Sequence, residues 1–575
     1  MKKLAKYLVG YRKECVLGPL GKLCEATLEL IVPLIVALII DRGIGEGNSS
    51  LIVSMSLVLV LLGAVGLLFS VFAQYFSAKA AVGFITKVKL SLFSHIQKLS
   101  YRDLDNIGTS TLITRITTDA SRVQTALNLA LRLLLRSPFV VFGAMIMAFT
   151  IDATAGAAFA VTIPALALVV FGVMLITTPL YKKVQSGLDK VLLRTRENLT
   201  GVRVIRAFGK EDDERSAFVA EDSSLTLSQE RAGRISALTN PLTYIIINLG
   251  IVALIHIGAL KVNLGTLTQG EVIALYNYMS QILVELVKLA NLIVTISKGV
   301  ASAGRISAVL DIKPTMVYGE RNESIGGEYS VELDDVSLRY GRSQENSIEG
   351  ISVKVKRGER IGIIGGTGSG KSSLINLIGR FYDASGGEVR LNGAPIAEYS
   401  KEYLNKTVSI VPQRAVLFHG TIRDNIKWGN KDASDDDIYR ALEIAQAMEI
   451  VREKGGLDYM IEAGGRNLSG GQKQRLTIAR ALVSGAKIII LDDSASALDF
   501  ATESRLREGL KTLSPDTTLF VVSQRSASVM GLDRIIVMED GEISDIGTHD
   551  ELYQRSDIYR EIYLSQFERE GEDEK

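Results

Sequence analysis

The octapeptide Gly365-Gly366-Thr367-Gly368-Ser369-Gly370-Lys371-Ser372 sets two glycines five positions apart ahead of Lys and Ser, the spacing of a phosphate-binding loop. The apolar run Arg360–Ile364 before it reads as a buried strand, and Ser373–Ile378 after it as a helix. That context weighs against the alternative, a glycine-rich strand-to-helix turn without chemistry. Glycines leave backbone N–H groups free to surround phosphate oxygens, and a helix N-terminus adds positive potential. Lys371 can reach the β and γ phosphates and the Ser372 hydroxyl can ligate Mg²⁺, with Thr367, Ser369 and Ser373 in the same turn. Further on, the apolar strand Lys487–Leu491 ends in Asp492-Asp493. Asp492 suits a metal carboxylate acting through the ion's water shell, and Asp493 an acid placed on the attacking water.

These groups need a scaffold. At 575 residues, 47 % hydrophobic and mean hydropathy +0.22, the chain is too long and too apolar for one soluble domain. The expected fold is a polytopic all-α transmembrane domain of about six spans over residues 1–300, a linker over 301–328, and an α/β nucleotide-binding domain over 329–575. A net charge of +1 offers no argument for nucleic acid. Cys15 and Cys24 lack metal-ligand spacing and suggest no disulfide framework.

The apolar segments run over Val16–Ile40, Leu51–Ala78, Pro138–Thr150, Ala153–Thr178, Leu242–Leu260 and Val272–Thr295. The first is long enough to span a bilayer and lacks a small-residue cleavage site, so it reads as a retained span rather than a signal peptide. Lys79–Arg136 and Tyr181–Asn240 are basic and helix-forming, and the inside-positive rule puts them and both termini in the cytoplasm. Two long helical hairpins there are expected. Lys22, Glu25 and Glu29 share one face of the first span, and Glu285 and Lys288 are neighbours in the last. Intramembrane charge is costly, so Glu25, Glu29 and Glu285 are candidates for a substrate path; the alternative is that these charges pair with one another.

Between the two nucleotide motifs lies Leu468-Ser469-Gly470-Gly471-Gln472, followed by a helix over Lys473–Leu482. With this pentapeptide in that place the chain resembles the ATP-binding cassette (ABC) family, of which it is the signature sequence. With the spans upstream it is similar over nearly its whole length to an exporter half-transporter of the multidrug or lipid type. The resemblance implies that Ser469, Gly470, Gly471 and Gln472 bind the γ phosphate held by an opposite cassette. ATP with Mg²⁺ would then sit sandwiched between two cassettes, and the chain would dimerise. It also implies that Tyr340 stacks on adenine, that Gln413 in Val411-Pro412-Gln413 senses the metal, and that Asp499 lies in a loop crossing to the partner cassette.

Two positions depart from the family. Asp493 stands where the family usually has Glu, and Gln524, in Val522-Ser523-Gln524-Arg525, where it has a switch His. An acid misplaced by about an ångström costs on the order of a hundredfold in rate, and an amide cannot shuttle a proton. The expected protein is therefore the degenerate-site subunit of a heterodimeric exporter, multi-pass in the plasma membrane, moving small amphipathic substrates by alternating access. Its partner would be a second half-transporter with an intact catalytic Glu and His. The alternatives are a homodimer in which Asp and Gln suffice, and an ATP-gated channel or regulatory ATP-binding module.

Overall fold

A computed structural model describes residues 3–341 and 345–567. The chain divides into two compact units, Met1–Gln97 with Ser110–Ile312, and Lys98–Thr109 with Lys313–Lys575.

In the first unit six helices, Leu4–Ile44, Ser49–Ile96, Thr109–Ile151, Ala153–Thr200, Glu211–Asn263 and Gln269–Leu310, are long and apolar enough to cross a membrane. All of them outrun the apolar segments read from sequence. Ser49–Ile96 and Ala153–Thr200 have 48 residues each, about 72 Å of helix against a hydrocarbon core of about 30 Å. Ser49–Ile96 does not stop where its lipid-compatible stretch ends, because Ala73, Ser77, Ala80, Ala81, Phe84, Val88 and Leu92 continue a buried stripe at helical spacing. Leu57, Val60, Leu61 and Leu68 of the same helix stay exposed, an apolar patch too large for a water-facing surface.

The turns are set locally. Asp152 caps Ala153–Thr200 by accepting from Ala155 N at 2.8 Å, and Thr268 with Glu271 forms a capping box at the start of the last span. That last helix also corrects the linker boundary. It runs to Leu310, ten residues past the expected end of the membrane domain, because Ser302, Ala303, Ile306 and Val309 remain buried on one face.

The second unit holds the strands β1 (Tyr329–Leu338), β2 (Ile348–Lys356), β3 (Arg360–Gly365), β4 (Gly386–Leu391), β5 (Val408–Val411), β6 (Ile488–Asp492), β7 (Thr518–Val522), β8 (Arg534–Glu539) and β9 (Glu542–Gly547). One sheet has the order β2-β1-β4 plus the short strand Ala394–Pro395, and a six-stranded sheet has the order β9-β8-β3-β7-β6-β5. In the latter β8, β3, β7, β6 and β5 run parallel. The antiparallel β9 returns through Asp540-Gly541, whose φ values of 45° and 88° suit a tight hairpin turn.

A parallel sheet is covered on both faces, so its strands read as unbroken apolar runs. Ile361, Ile363, Ile364 and Ile488 to Leu491 are all buried, each side chain contributing about 1.5–3 kcal/mol. Register then decides where chemistry can occur. Val522 pairs with both Asp492 and Ile363, so β3, β6 and β7 release their chains at one edge, the carboxyl ends where α/β sheets bind ligands. After Ser434 the chain forms two helices, Asp435–Ile444 and Met448–Glu453, separated where Gln446 adopts a φ of 55°.

Candidate nucleotide-binding site

At the end of β3 the chain turns sharply into helix Lys371–Ile378. Gly368 and Gly370 take φ values of 89° and 93°, a region side chains disfavour. A Cβ on Gly370 would come within 2.5 Å of Ile348 Cγ2, whereas Gly366 and Gly368 face open space. The buried Lys371 folds over the loop, donating from Nζ to Gly365 O (2.9 Å), Gly366 O (2.6 Å) and Ser369 Oγ (3.2 Å). These acceptors are neutral, and a phosphate oxygen is a stronger acceptor for an ammonium. Burial pushes the Lys371 amine below its usual range, while Asp493 and Asp492 pull it back up.

Ser372 Oγ donates to Asp492 Oδ1 and Oδ2 at 3.3 and 3.4 Å. Burial raises the Asp492 carboxyl above the usual carboxylate range; Ser372 lowers it, and the charge of Asp493 raises it further. Asp493 has a φ of 45°, a left-handed conformation that Asp tolerates better than most residues. Its N–H donates to Val522 O at 2.9 Å, which ties it to β7. Its Oδ2 accepts from Gln413 Nε2 at 3.3 Å. Burial raises this carboxyl too, and the Gln413 bond opposes the rise.

Gln524 follows β7 with an exposed side chain, and its carbonyl accepts from Gln566 Nε2 at 2.8 Å. Next to it, Arg525 donates to the buried Glu503 at 3.1 Å and to Ser496 O at 3.4 Å. Ser469 caps helix Gly470–Leu482 in a reciprocal pair with Gln472, Ser469 N to Oε1 at 3.0 Å and Gln472 N to Oγ at 3.3 Å. A Cβ on Gly471 would stand 3.1 Å from Ala497 O, so only glycine lies there without strain.

Lys371, Ser372, Asp492, Asp493 and Gln413 thus gather at one sheet edge, while Ser469 to Gln472 form their own cap, with Ser469 and Gly470 exposed. Among the described residues no three His, Cys, Asp or Glu side chains gather to hold a metal. The Ser372 hydroxyl, the Asp492 carboxylate and the Gln413 amide fit a Mg²⁺ that takes its other oxygens from phosphate and water, as that ion usually does. When bound, it neutralises charge on the transferring phosphoryl group.

The family described as ABC transporter transmembrane region matches residues 16–286, and the ABC transporter family matches residues 348–496. The ABC transporter ATP-binding protein YfiB of Bacillus subtilis (strain 168) is 33 % identical over 573 residues, 99 % of each chain. This chain belongs to the ABC transporter family. It is a half-transporter, one membrane region fused ahead of one nucleotide-binding domain, and a transport ATPase by family. The ATP-dependent lipid A-core flippase of Desulfotalea psychrophila (strain LSv54 / DSM 12343) is 32 % identical over 84 % of each chain. A solved structure described as a bacterial Atm1-family ABC exporter with ATP bound superposes with a TM-score of 0.81 at 24 % identity, over 97 % of this chain and 99 % of that one, and shows the shared fold.

Several contacts in this ABC transporter join residues far apart in sequence. Tyr340 packs edge-on against Tyr382, with ring centroids 4.8 Å apart, and accepts from Asn376 Nδ2 at 3.2 Å. The Tyr382 hydroxyl donates to Asp105, and Tyr101 packs on Phe381 with centroids 4.8 Å apart. The short helix Tyr101–Ile107 therefore belongs with the nucleotide-binding unit, although it falls between two spans in sequence. Asp499 caps helix Phe500–Leu510, accepting from Thr502 N at 2.9 Å, which holds its carboxyl below the usual range.

The intramembrane charges pair with one another, as the alternative reading of the sequence had it. Arg136, 7 % exposed, donates to Glu29 at 2.5 Å and to Glu285 at 2.7 Å. Glu285, 2 % exposed, also accepts from Ser137 at 2.9 Å and Lys288 at 2.9 Å. Lys22 donates to Glu25 at 2.5 Å and to Ser70 at 3.0 Å. Lys22, Arg136 and Lys288 balance Glu25, Glu29 and Glu285, as buried charges must be balanced. Arg136 was visible as a basic residue before an apolar run, but nothing in the sequence names its two partners.

Proposed function

We propose that this chain is one half of an ATP-driven exporter that binds ATP in its own phosphate loop and hydrolyses it slowly there. It lends Ser469 to Gln472 to the working site of a different partner subunit. The observation that carries the reading is which residues occupy the two places: the carboxylate in the water-activating place is the shorter Asp493, whose Oδ2 accepts from Gln413 at 3.3 Å, and the switch place presents the amide of Gln524. An Asp one methylene shorter than Glu sits about an ångström out of place, which costs on the order of a hundredfold in rate, and an amide cannot take up and pass on a proton.

Lys371 and the loop N–H groups orient the phosphates, Ser372 and Asp492 hold Mg²⁺, and Tyr340 stacks on adenine. ATP at two such interfaces draws the cassettes together and biases the spans toward an outward opening; hydrolysis at the partner's site resets them. Substrates are amphipathic, a reading supported by the apolar spans and by the named lipid flippases among the relatives. Glu25, Glu29 and Glu285 stay candidates for the path, Glu29 most of all, since its carboxylate is 40 % exposed. The membrane is the plasma membrane, with both termini and the nucleotide-binding domain in the cytoplasm.

The test is steady-state ATP turnover by the purified chain in lipid, with nucleotide binding measured in the same sample. Binding with scant turnover supports the reading. Brisk turnover by the chain alone overturns it in favour of a homodimer. In a reconstituted heterodimer, Lys371→Ala slows the complex partly and Ser469→Arg nearly stops it; equal losses argue against the asymmetry.

A further inference from the structure

The helix Asp557–Phe567 packs its Tyr559 into the cluster of Ile364, Val529, Ile535, Val537 and Leu552, with Ile558 and Ile562 alongside. Ile364 is the penultimate residue of β3, so this helix rests on the strand that launches the phosphate loop. Near its end the half-buried Gln566 reaches the turn that follows β7. Gln566 Oε1 accepts from Ser526 N at 2.8 Å and from Ser526 Oγ at 2.9 Å, while Nε2 donates to Gln524 O at 2.8 Å. Only an amide can accept on one side and donate on the other at that length: a carboxylate cannot donate, and Lys or Arg cannot accept. The turn is clasped from its other side by Arg525 on Glu503 and by the Ser528 hydroxyl on the same carboxylate. The peptide carrying Gln524 is therefore fixed on both flanks, and one flank is supplied from 42 residues further along the chain.

We propose that Gln566 is the positioning residue of the switch, setting the backbone of Gln524 so that its side chain meets the terminal phosphate of bound nucleotide. This rests on the reading above that Gln524 stands in the switch place, and adds that its exposed side chain there faces the terminal phosphate. A diphosphate does not reach the switch, so the clasp strengthens triphosphate binding and leaves diphosphate binding alone.

The experiment uses the full chain in lipid and compares affinities for a non-hydrolysable ATP analogue and for ADP, with Mg²⁺, in wild type, Gln566→Ala, Gln566→Glu, Gln524→Ala and the exposed control Ser565→Ala. Gln566→Ala is expected to lower the preference for triphosphate by about two- to tenfold, the worth of one hydrogen bond, at unchanged ADP affinity. Gln566→Glu preserves size and the acceptor but sets an oxygen against the Gln524 carbonyl, so it should lose at least as much. Packing alone would instead spare Gln566→Glu. Ser565→Ala should match wild type. If Gln524→Ala lowers the preference and neither Gln566 variant does, or if both affinities fall together in the Gln566 variants, the clasp is merely structural and the proposal fails. If Gln524→Ala changes nothing, the switch reading itself is wrong and the proposal falls with it.

Discussion

Asp493→Glu asks directly whether the carboxylate's reach limits hydrolysis at this chain's own site. The change adds one methylene, about 1.5 Å of reach along the side chain. The wild-type carboxylate, at 3.3 Å from Gln413 Nε2, sits at the long end of a hydrogen bond. If the short side chain leaves its oxygen about 1 Å from the place where it would orient water, restoring the reach recovers up to about a hundredfold in turnover, or about 2.7 kcal/mol of barrier. Gln524 still lacks a transferable proton, so the single variant is expected to gain about tenfold, and Asp493→Glu with Gln524→His about a hundredfold. The φ of 45° at this position exacts a separate cost, because Glu enters the left-handed region less readily than Asp. That strain is common to ground and transition states and appears as lost stability of about 1 kcal/mol, or a fall of a few degrees in melting temperature. The assay is phosphate release at saturating ATP by the chain in lipid, with melting followed in parallel. Unchanged turnover in both variants, with ATP still bound, refutes the reasoning.

Burial raises Asp492 from an ordinary value of 3.8, so its folded form retains a proton that the unfolded chain releases. Its contribution to stability is then lost as pH rises from about 4 through the raised value. Asp492→Asn should accordingly raise the melting temperature of the nucleotide-free protein at about pH 7 and hardly change it near pH 4; the reverse ordering would discount this burial. In the membrane unit, Glu285→Gln strips Arg136 and Lys288 of a buried counter-charge and should cost about 3 kcal/mol in unfolding experiments. Glu29→Gln should cost much less, because Arg136 keeps Glu285, and it separates structure from transport. Unchanged transport of every cationic and zwitterionic cargo tested would remove Glu29 from the path.

The groups proposed to bind nucleotide could be read from sequence because each is encoded over a few contiguous residues. Gly365 to Ser372 dictates its own turn through glycine conformations, Asp492-Asp493 marks a strand end, and Ser469 with Gln472 completes its own cap. The six spans were legible for the same reason, since apolar stretches declare themselves, although their helices continue on buried stripes that a search for apolarity alone passes over. The substitutions at Asp493 and Gln524 were equally plain. What only tertiary structure decided is which distant groups meet. Arg136 finds Glu29 and Glu285 across 107 and 149 residues, Tyr382 joins Asp105 to Tyr340, and Gln566 clasps the Gln524 turn. Asp493 takes its left-handed backbone where it bonds to Val522 of a neighbouring strand. Such contacts depend on how helices and sheet pack, and a polar side chain on an exposed face and one aimed at a partner far along the chain look alike in sequence. Local chemistry follows from local residues, and long-range hydrogen bonds and ion pairs follow from the packing that brings their partners within about 3 Å.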